Sequence, residues 1–496
     1  MRNKITVALS LSFALALALL AGCAGSFSPN PSGPPDPAPL GADNLNLIFV
    51  VSEDLAYQAS GDVNPKTANL TNQGLQRSLL MATFLQQHVL GTKNVTGIYA
   101  LEPMSHLQTA NNYPDMVAFG TIQQFALLNQ ITLSEAGQTP YTGNSYPLNV
   151  LYAPGQVING VAPPLLACAG CQGLDFSDQG GDNETLVTGI VKANVPGFYV
   201  FSAPWETTSS LLANINKLEG YNLSLPASYI SPNYIYAISI APSGSASLVT
   251  YNSNLNPPST YPVLPPPPLV STPCNTPQTQ AFFSRTVTGG SDGAVIPAGT
   301  NTNETVYLIR HVEAHPTSWW EEGNYVGAGQ WRALDLPNAL RGKISPNQVY
   351  SIDPAQVIPS SDSAAGNSAW SYVRPSLTVE PYAIANGLPY NLAASFDMIA
   401  QNPPQLATVA SAFFFNGGQF SNQTVLVAWE HDHIPPTVNA LLTSYQPNVQ
   451  QAPNWPDTDY DTIWTVTLDA VGNVTVNNGM CEGIDSAALP KTPPQF

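Results

Sequence analysis

The stretch "NPPSTYPVLPPPPLVSTPC" (256–274) sets the first limit on what this chain can fold into. Proline supplies no backbone N–H and blocks helix interiors, so neither a central strand nor a helix can run through it. It reads as a stiff linker over 256–280 between two parts, 41–255 and 281–496. In a chain of 496 residues each part is long enough for its own core.

The two parts follow one pattern. "LNLIFVVSED" opens the first and "TVYLIRHVE" the second, each a strand. Helical stretches follow, "LTNQGLQRSLLMATFLQQHVLG" and "GAGQWRALDLPNALRGKI", then the short strands "VTGIYALEP" and "NQVYSIDP". "GFYVFSAPWETTSSLLANI" and "TVLVAWEHDHIPPTVNALL" each run from strand through loop to helix. Alternating hairpins close both parts, turning at Gly244 and Gly472. Pro204 to Gly244 is 40 residues and His431 to Gly472 is 41. Strands alternating with helices predict an α/β fold: two three-layer domains, each a mostly parallel sheet with helices on both faces. Ligands of such sheets sit beyond the carboxyl ends of the strands.

Charge excludes some partners. With 14 Lys+Arg against 32 Asp+Glu, the net charge is −18, which argues against nucleic acid, whose binding needs clustered basic residues. The start, "MRNKITVALSLSFALALALLAGCAGS", has Arg2 and Lys4 before a short apolar run ending in Leu20-Ala21-Gly22-Cys23. It looks like a bacterial lipoprotein signal over 1–22, with Cys23 lipidated and a Pro-rich tether over 23–40. The chain is then expected in the cell envelope, held to the membrane through lipid on Cys23, periplasmic or surface-exposed. Four cysteines remain, with three possible pairings; Cys168–Cys171 and Cys274–Cys481 are preferred, the second stapling the linker to the chain end. "CAGC" (168–171) lacks the further ligands a metal site needs.

Chemistry concentrates in two loops. Of six histidines, His311 and His315 lie in "LIRHVEAHP" and His431 and His433 in "AWEHDHI"; Arg310 adjoins the first and Arg374 ("SYVRPSLT") follows the next strand. Two guanidinium groups and two imidazoles suit a tetrahedral dianion, since guanidinium forks onto phosphate oxygens. The helix opening at Pro435-Pro436 would favour the anion by its N-terminal dipole. The H-x₃-H and H-x-H spacings also admit Zn²⁺, but Arg310 beside His311 repels a cation, so no metal or other cofactor is expected. His315 and His433 read as cleft-lining or backbone-bonded, Arg332 and Arg341 as a solvated helix face, and Trp319-Trp320 as core or pocket wall.

These stretches resemble the histidine phosphatase superfamily of phosphoglycerate mutases, acid phosphatases and phytases. "LIRHVEAHP" is similar to its Arg-His-Gly signature, "VLVAWEHDHI" to its second histidine motif and "YVRPSLT" to its later arginine motif. The resemblance implies a metal-independent phosphate monoester hydrolase acting on a phosphorylated small molecule. His311 would be the nucleophile, Arg310 and Arg374 would hold the phosphoryl oxygens, and His431 would stabilise transition-state charge. Asp432 is the first choice of proton donor, with Glu313 and Glu430 as alternatives. Val312 departs from the glycine of the signature, and Ala314 stands where the phytase branch has arginine. The first part lacks this chemistry: Val51 aligns with Arg310, Ser52 with His311 and Pro204 with His431, which predicts a degenerate copy. The alternative is a non-catalytic binding or scaffold lipoprotein in which both copies are degenerate.

Overall fold

The structure, a computed structural model, describes residues 37–57, 61–108, 113–134, 137–150, 174–176, 178, 181–265, 281–316, 321–355, 357–358, 370–393 and 403–496. The signal, Cys23, the tether up to residue 36, "CAGC", Cys274, most of the linker and Trp319-Trp320 lie outside the described residues.

Two sheets organise the fold. Counting only their strands, the first contains β1 (Leu45–Ser52), β2 (Gly97–Ala100), β3 (Gly197–Pro204), β4 (Tyr234–Ile240) and β5 (Ala246–Asn252), in the order β2-β3-β1-β4-β5. The second contains β6 (Ser284–Val287), β7 (Glu304–Arg310), β8 (Gln348–Ile352), β9 (Tyr390–Ala393), β10 (Thr424–Trp429), β11 (Thr462–Leu468) and β12 (Val474–Cys481), in the order β6-β12-β11-β7-β10-β8-β9. Without its outer strands β6 and β9, the second order repeats the first. The senses repeat too: β2-β3-β1 and β8-β10-β7 are parallel, and the closing hairpins are antiparallel. Most strands of each sheet therefore run in one direction, as expected, and the closing hairpin adds the antiparallel pairings.

Helices cover both faces. The first half has α1 (Asn72–Phe84), α2 (Val117–Leu128), α3 (Asp182–Ala193) and α4 (Trp205–Leu218); the second has α5 (Gly327–Ala339), α6 (Arg374–Asn386), α7 (Pro403–Phe415) and α8 (Ile434–Tyr445). In β1, Ile48 and Val50 face one hydrophobic cluster, and Leu47, Phe49 and Val51 face another, as alternation in a strand requires. The first of these clusters does not stop at the end of a half. It runs from Ile48, Val50 and Phe119 through Ala333, Leu377 and Tyr382 to Ile309 and Ala428, so the inner helices of the two halves share one core.

Buried polar contacts fix that seam. Gln123 and Asn324 exchange side-chain hydrogen bonds of 2.9 and 3.1 Å, Gln330 donates to Gln124 at 2.9 Å, and Gln124 donates to the Pro494 carbonyl at 2.7 Å. The described linker residues have no helix or strand, yet Tyr261 donates its hydroxyl to the Leu334 carbonyl in α5 at 2.9 Å. The halves repeat one architecture but are packed as one body. Among the described residues no helix is long and apolar enough to cross a membrane.

Candidate active site

The sheet register brings the sequence-distant histidines together. Arg310 ends β7, and the His311 N–H donates to the Trp429 carbonyl at 2.8 Å, carrying the parallel ladder one residue further. Glu430 and His431 follow β10 directly, so the ring nitrogens of His311 and His431 and a Glu430 oxygen all lie within 4.8 Å of one another. Arg374 opens α6. Its N–H donates to the Gly323 carbonyl at 3.1 Å, and Gly323 has φ +81°, where any Cβ would run into the Ser371 carbonyl. Only glycine fits that turn.

His311 is held in one tautomer. Its Nδ1 lies 2.8 Å from the Val312 carbonyl oxygen, which can only accept, so Nδ1 carries the proton and Nε2 keeps its lone pair. The imidazole is 2% exposed. Burial first, then the charges of Arg374 and Arg310, push its pKa well below the usual value, so it stays neutral. A neutral imidazole with a free Nε2 is the nucleophilic form.

The arginines are poised for an anion. Arg374, 4% exposed, spends one N–H on Glu321 at 2.5 Å and lies over the Tyr372 ring at 4.7 Å. Its Nε and Nη1, and the Nε of Arg310, are buried without a hydrogen bond of normal geometry. Unpaired buried donors are costly, so such groups imply a ligand or water. Arg310 also donates to the Asp457 carbonyl at 2.5 Å, and its guanidinium lies 4.0 Å from the Tyr460 ring centre. Residues 457–460 thus form one wall of the site.

The carboxylates divide by environment. Burial alone would raise Glu430, but His431 and His433 outweigh it and hold its pKa well below the usual range. Glu430 therefore stays ionised and orients both histidines, with His433 Nδ1 at 3.0 Å. Asp432 is largely exposed; what burial it has, then the charge of Glu430, raise its pKa. It lies 3.7 Å from His431 Nε2, and Asp457, which the sequence reading missed, lies at 3.2 Å.

Other candidates sit elsewhere. Glu313 is bound by both Nε and Nη2 of Arg332 at 2.7–3.0 Å and by Ser486 at 2.7 Å, so it is not a free proton donor. Arg332 is fully buried rather than solvated; Arg341 is exposed as expected. His315 does not line the site: its Nε2 meets Glu322 at 3.1 Å, and Glu322 is also bound by Ser145 of the first half. Val312 does not crowd the loop, because its side chain enters the shared core. Gly329 makes the room, since a Cβ there would lie 2.8 Å from Val312 Cγ2. Cys481 ends β12 fully buried.

His311, Glu430 and His431 have donor atoms for a cation, but two guanidinium groups beside them oppose one. The four histidines do not converge, because His315 and His433 turn to Glu322 and Glu430.

The first half keeps the scaffold and changes the residues. Strand register confirms Val51 opposite Arg310 and Ser52 opposite His311, but shifts one assignment. Ser52 pairs with Pro204 as His311 continues onto Glu430, so Pro204 stands at Glu430 rather than at His431. Helix α4 then starts at once with Trp205, without the 430–433 loop.

No family model matches the chain, and no curated protein does. Among solved structures, a candidate phosphohistidine phosphatase SixA from Agrobacterium tumefaciens aligns at 16% identity over 34% of this chain and 92% of its own, with TM-score 0.20. A second SixA candidate, from Nakamurella multipartitia, aligns at 16% identity over 40% and 96%, also with TM-score 0.20. A phosphoserine phosphatase mutant from Entamoeba histolytica, in complex with phosphoserine, aligns at 13% over 35% and 94%, with TM-score 0.19. Scores this low do not assign the chain to a family.

Proposed function

We propose that the second-half crevice hydrolyses phosphate monoesters through a phosphohistidine on His311, without a metal. The observation that carries this reading is the neutral His311, its Nε2 lone pair free, beside two buried arginines with unpaired N–H groups. Arg310 and Arg374 hold the non-bridging oxygens. The Nε2 lone pair attacks phosphorus as the bond to the ester oxygen breaks, and Asp432 gives its proton to the departing alkoxide. Water then attacks the phosphohistidine, Asp432 takes up a proton, and the N–P bond breaks to release inorganic phosphate. His431, oriented by Glu430, meets the charge on the phosphoryl oxygens in both steps. The reading extends to a first half without phosphatase chemistry and to an envelope lipoprotein anchored through Cys23.

The test is hydrolysis of p-nitrophenyl phosphate by the full chain in a chelator, from acidic to neutral pH, against His311→Ala. Metal-independent turnover lost in the variant is expected. Turnover that survives the substitution contradicts the proposal. Absence of turnover, with no protection of wild type against heat by vanadate, favours the scaffold reading.

A further inference from the structure

The first-half crevice is not merely emptied of phosphate chemistry. At the carboxyl ends of β1 and β2 it gathers Asp54, His106 and Asp115, donor atoms all within 4.8 Å of one another. His106 Nδ1 lies 2.9 Å from Asp115 Oδ2 and 3.4 Å from Asp54 Oδ2. Each aspartate is aimed by its other oxygen: Asp54 Oδ1 accepts the Ala56 N–H at 2.8 Å, and Asp115 Oδ1 accepts the Val117 N–H at 3.0 Å. The imidazole is fixed by stacking on Phe176 at 3.6 Å. Gln108 ties the two loops together by accepting the Leu55 N–H at 2.9 Å.

We propose that this cluster binds one divalent cation, Zn²⁺ or an ion of similar size, through His106 Nδ1, Asp54 Oδ2 and Asp115 Oδ2. Asp54 is 6% exposed, and its Oδ2 accepts no hydrogen bond. Its one neighbour of positive character is His106 at 3.4 Å, too long for a hydrogen bond, which leaves room for a closer cation. Ligands about 2.0–2.1 Å from a tetrahedral Zn²⁺ are roughly 3.3 Å apart, so small adjustments of the 2.9 and 3.4 Å separations admit the ion. Charge points the same way. Even a protonated His106 leaves the cluster net negative, and the charge of Glu206 adds to it. A dication neutralises the two aspartates, keeps the carboxylate–imidazole set and leaves one position for water. The held outer oxygens are the supporting contacts such sites use. The His311 crevice differs, since its two arginines exclude a cation.

The experiment uses the full chain, stripped with chelator and titrated calorimetrically with Zn²⁺. Asp54→Asn, His106→Ala and His431→Ala are run in parallel, and each is checked for folding by thermal melting. One Zn²⁺ per wild-type chain is expected, with affinity reduced on the order of 100-fold or more in Asp54→Asn and His106→Ala and unchanged in His431→Ala. Co²⁺ should give visible absorption bands that vanish in the same two variants. If His106→Ala does not fold, the nearly isosteric Asp54→Asn decides. Absence of uptake, uptake surviving Asp54→Asn, or uptake lost in His431→Ala overturns the proposal and leaves a plain ion triad.

Discussion

The two halves share a frame and differ in what fills it. Counted from their first residues, α1 and α5 place Gly74 with Gly329 and Arg77 with Arg332. Both arginines are buried and tie their helix to the closing hairpin. Arg77 reaches Asp62, Asn233 and the Leu255 carbonyl; Arg332 reaches Glu313, Asp461, Glu482 and the Ile484 carbonyl. The crevices have opposite character: arginine and neutral histidine in the second, aspartates and one histidine in the first. What the halves keep in common holds the fold, and what they do not share sets the two crevices apart.

That division can be broken. Arg332→Ala leaves Glu313 and Glu482 buried without their partner, and a loss of about 3–5 kcal/mol is expected from denaturant unfolding. Arg77→Ala should also destabilise, through Asp62. If either substitution is neutral, the shared clamp is not structural. Next in size, Arg374→Ala should lower kcat/KM on p-nitrophenyl phosphate by about 10²–10³, typical of losing one preorganised donor. A change in melting temperature without a change in turnover would place Arg374 in the frame instead.

A smaller effect concerns the seam. Glu102 and Asp353 stand at equivalent positions just past their strands, are fully buried, and each feels the other's charge. Two buried carboxylates that repel in this way are not both ionised. Burial first, then the partner's charge, holds Glu102 well above the usual range. Burial also pushes Glu304 and Glu380 up to about 8 from an ordinary 4.5. The folded chain thus holds protons that the unfolded chain releases, so stability falls as pH rises from about 4.5 to about 8. Glu102→Gln, which cannot ionise, should flatten part of that slope in melts run across this range; an unchanged slope counts against a protonated Glu102. The smallest effect expected is none: Ser52→Ala should leave turnover intact, and a large loss would mean the first crevice takes part.

Much of this was legible in sequence because it rests on strand ends. Arg310-His311 after an apolar run and His431 after another had to converge once both strands were parallel neighbours. Repeated turns and hairpins exposed the internal symmetry. Sequence was silent where long-range packing decides. Arg332 has the helical setting of a surface residue, and only the Gly-x-x-Arg spacing common to both helices hints otherwise. The seam was hidden because an amphipathic helix does not say which sheet its apolar face meets. Asp457 and Tyr460 come from an irregular loop, "DTDYD", whose acidic and aromatic residues fit a surface as well as a site. The Pro204 assignment slipped by one because a loop was aligned as if it were strand.

The central claim is a covalent bond to His311. Full-length chain mixed with p-nitrophenyl phosphate, quenched in alkali to preserve acid-labile phosphohistidine, and mapped by mass spectrometry tests it directly. Phosphate on His311, absent from His311→Ala and from the whole first half, is the predicted result. Turnover with no phosphorylated residue, or with phosphate on another side chain, would contradict it.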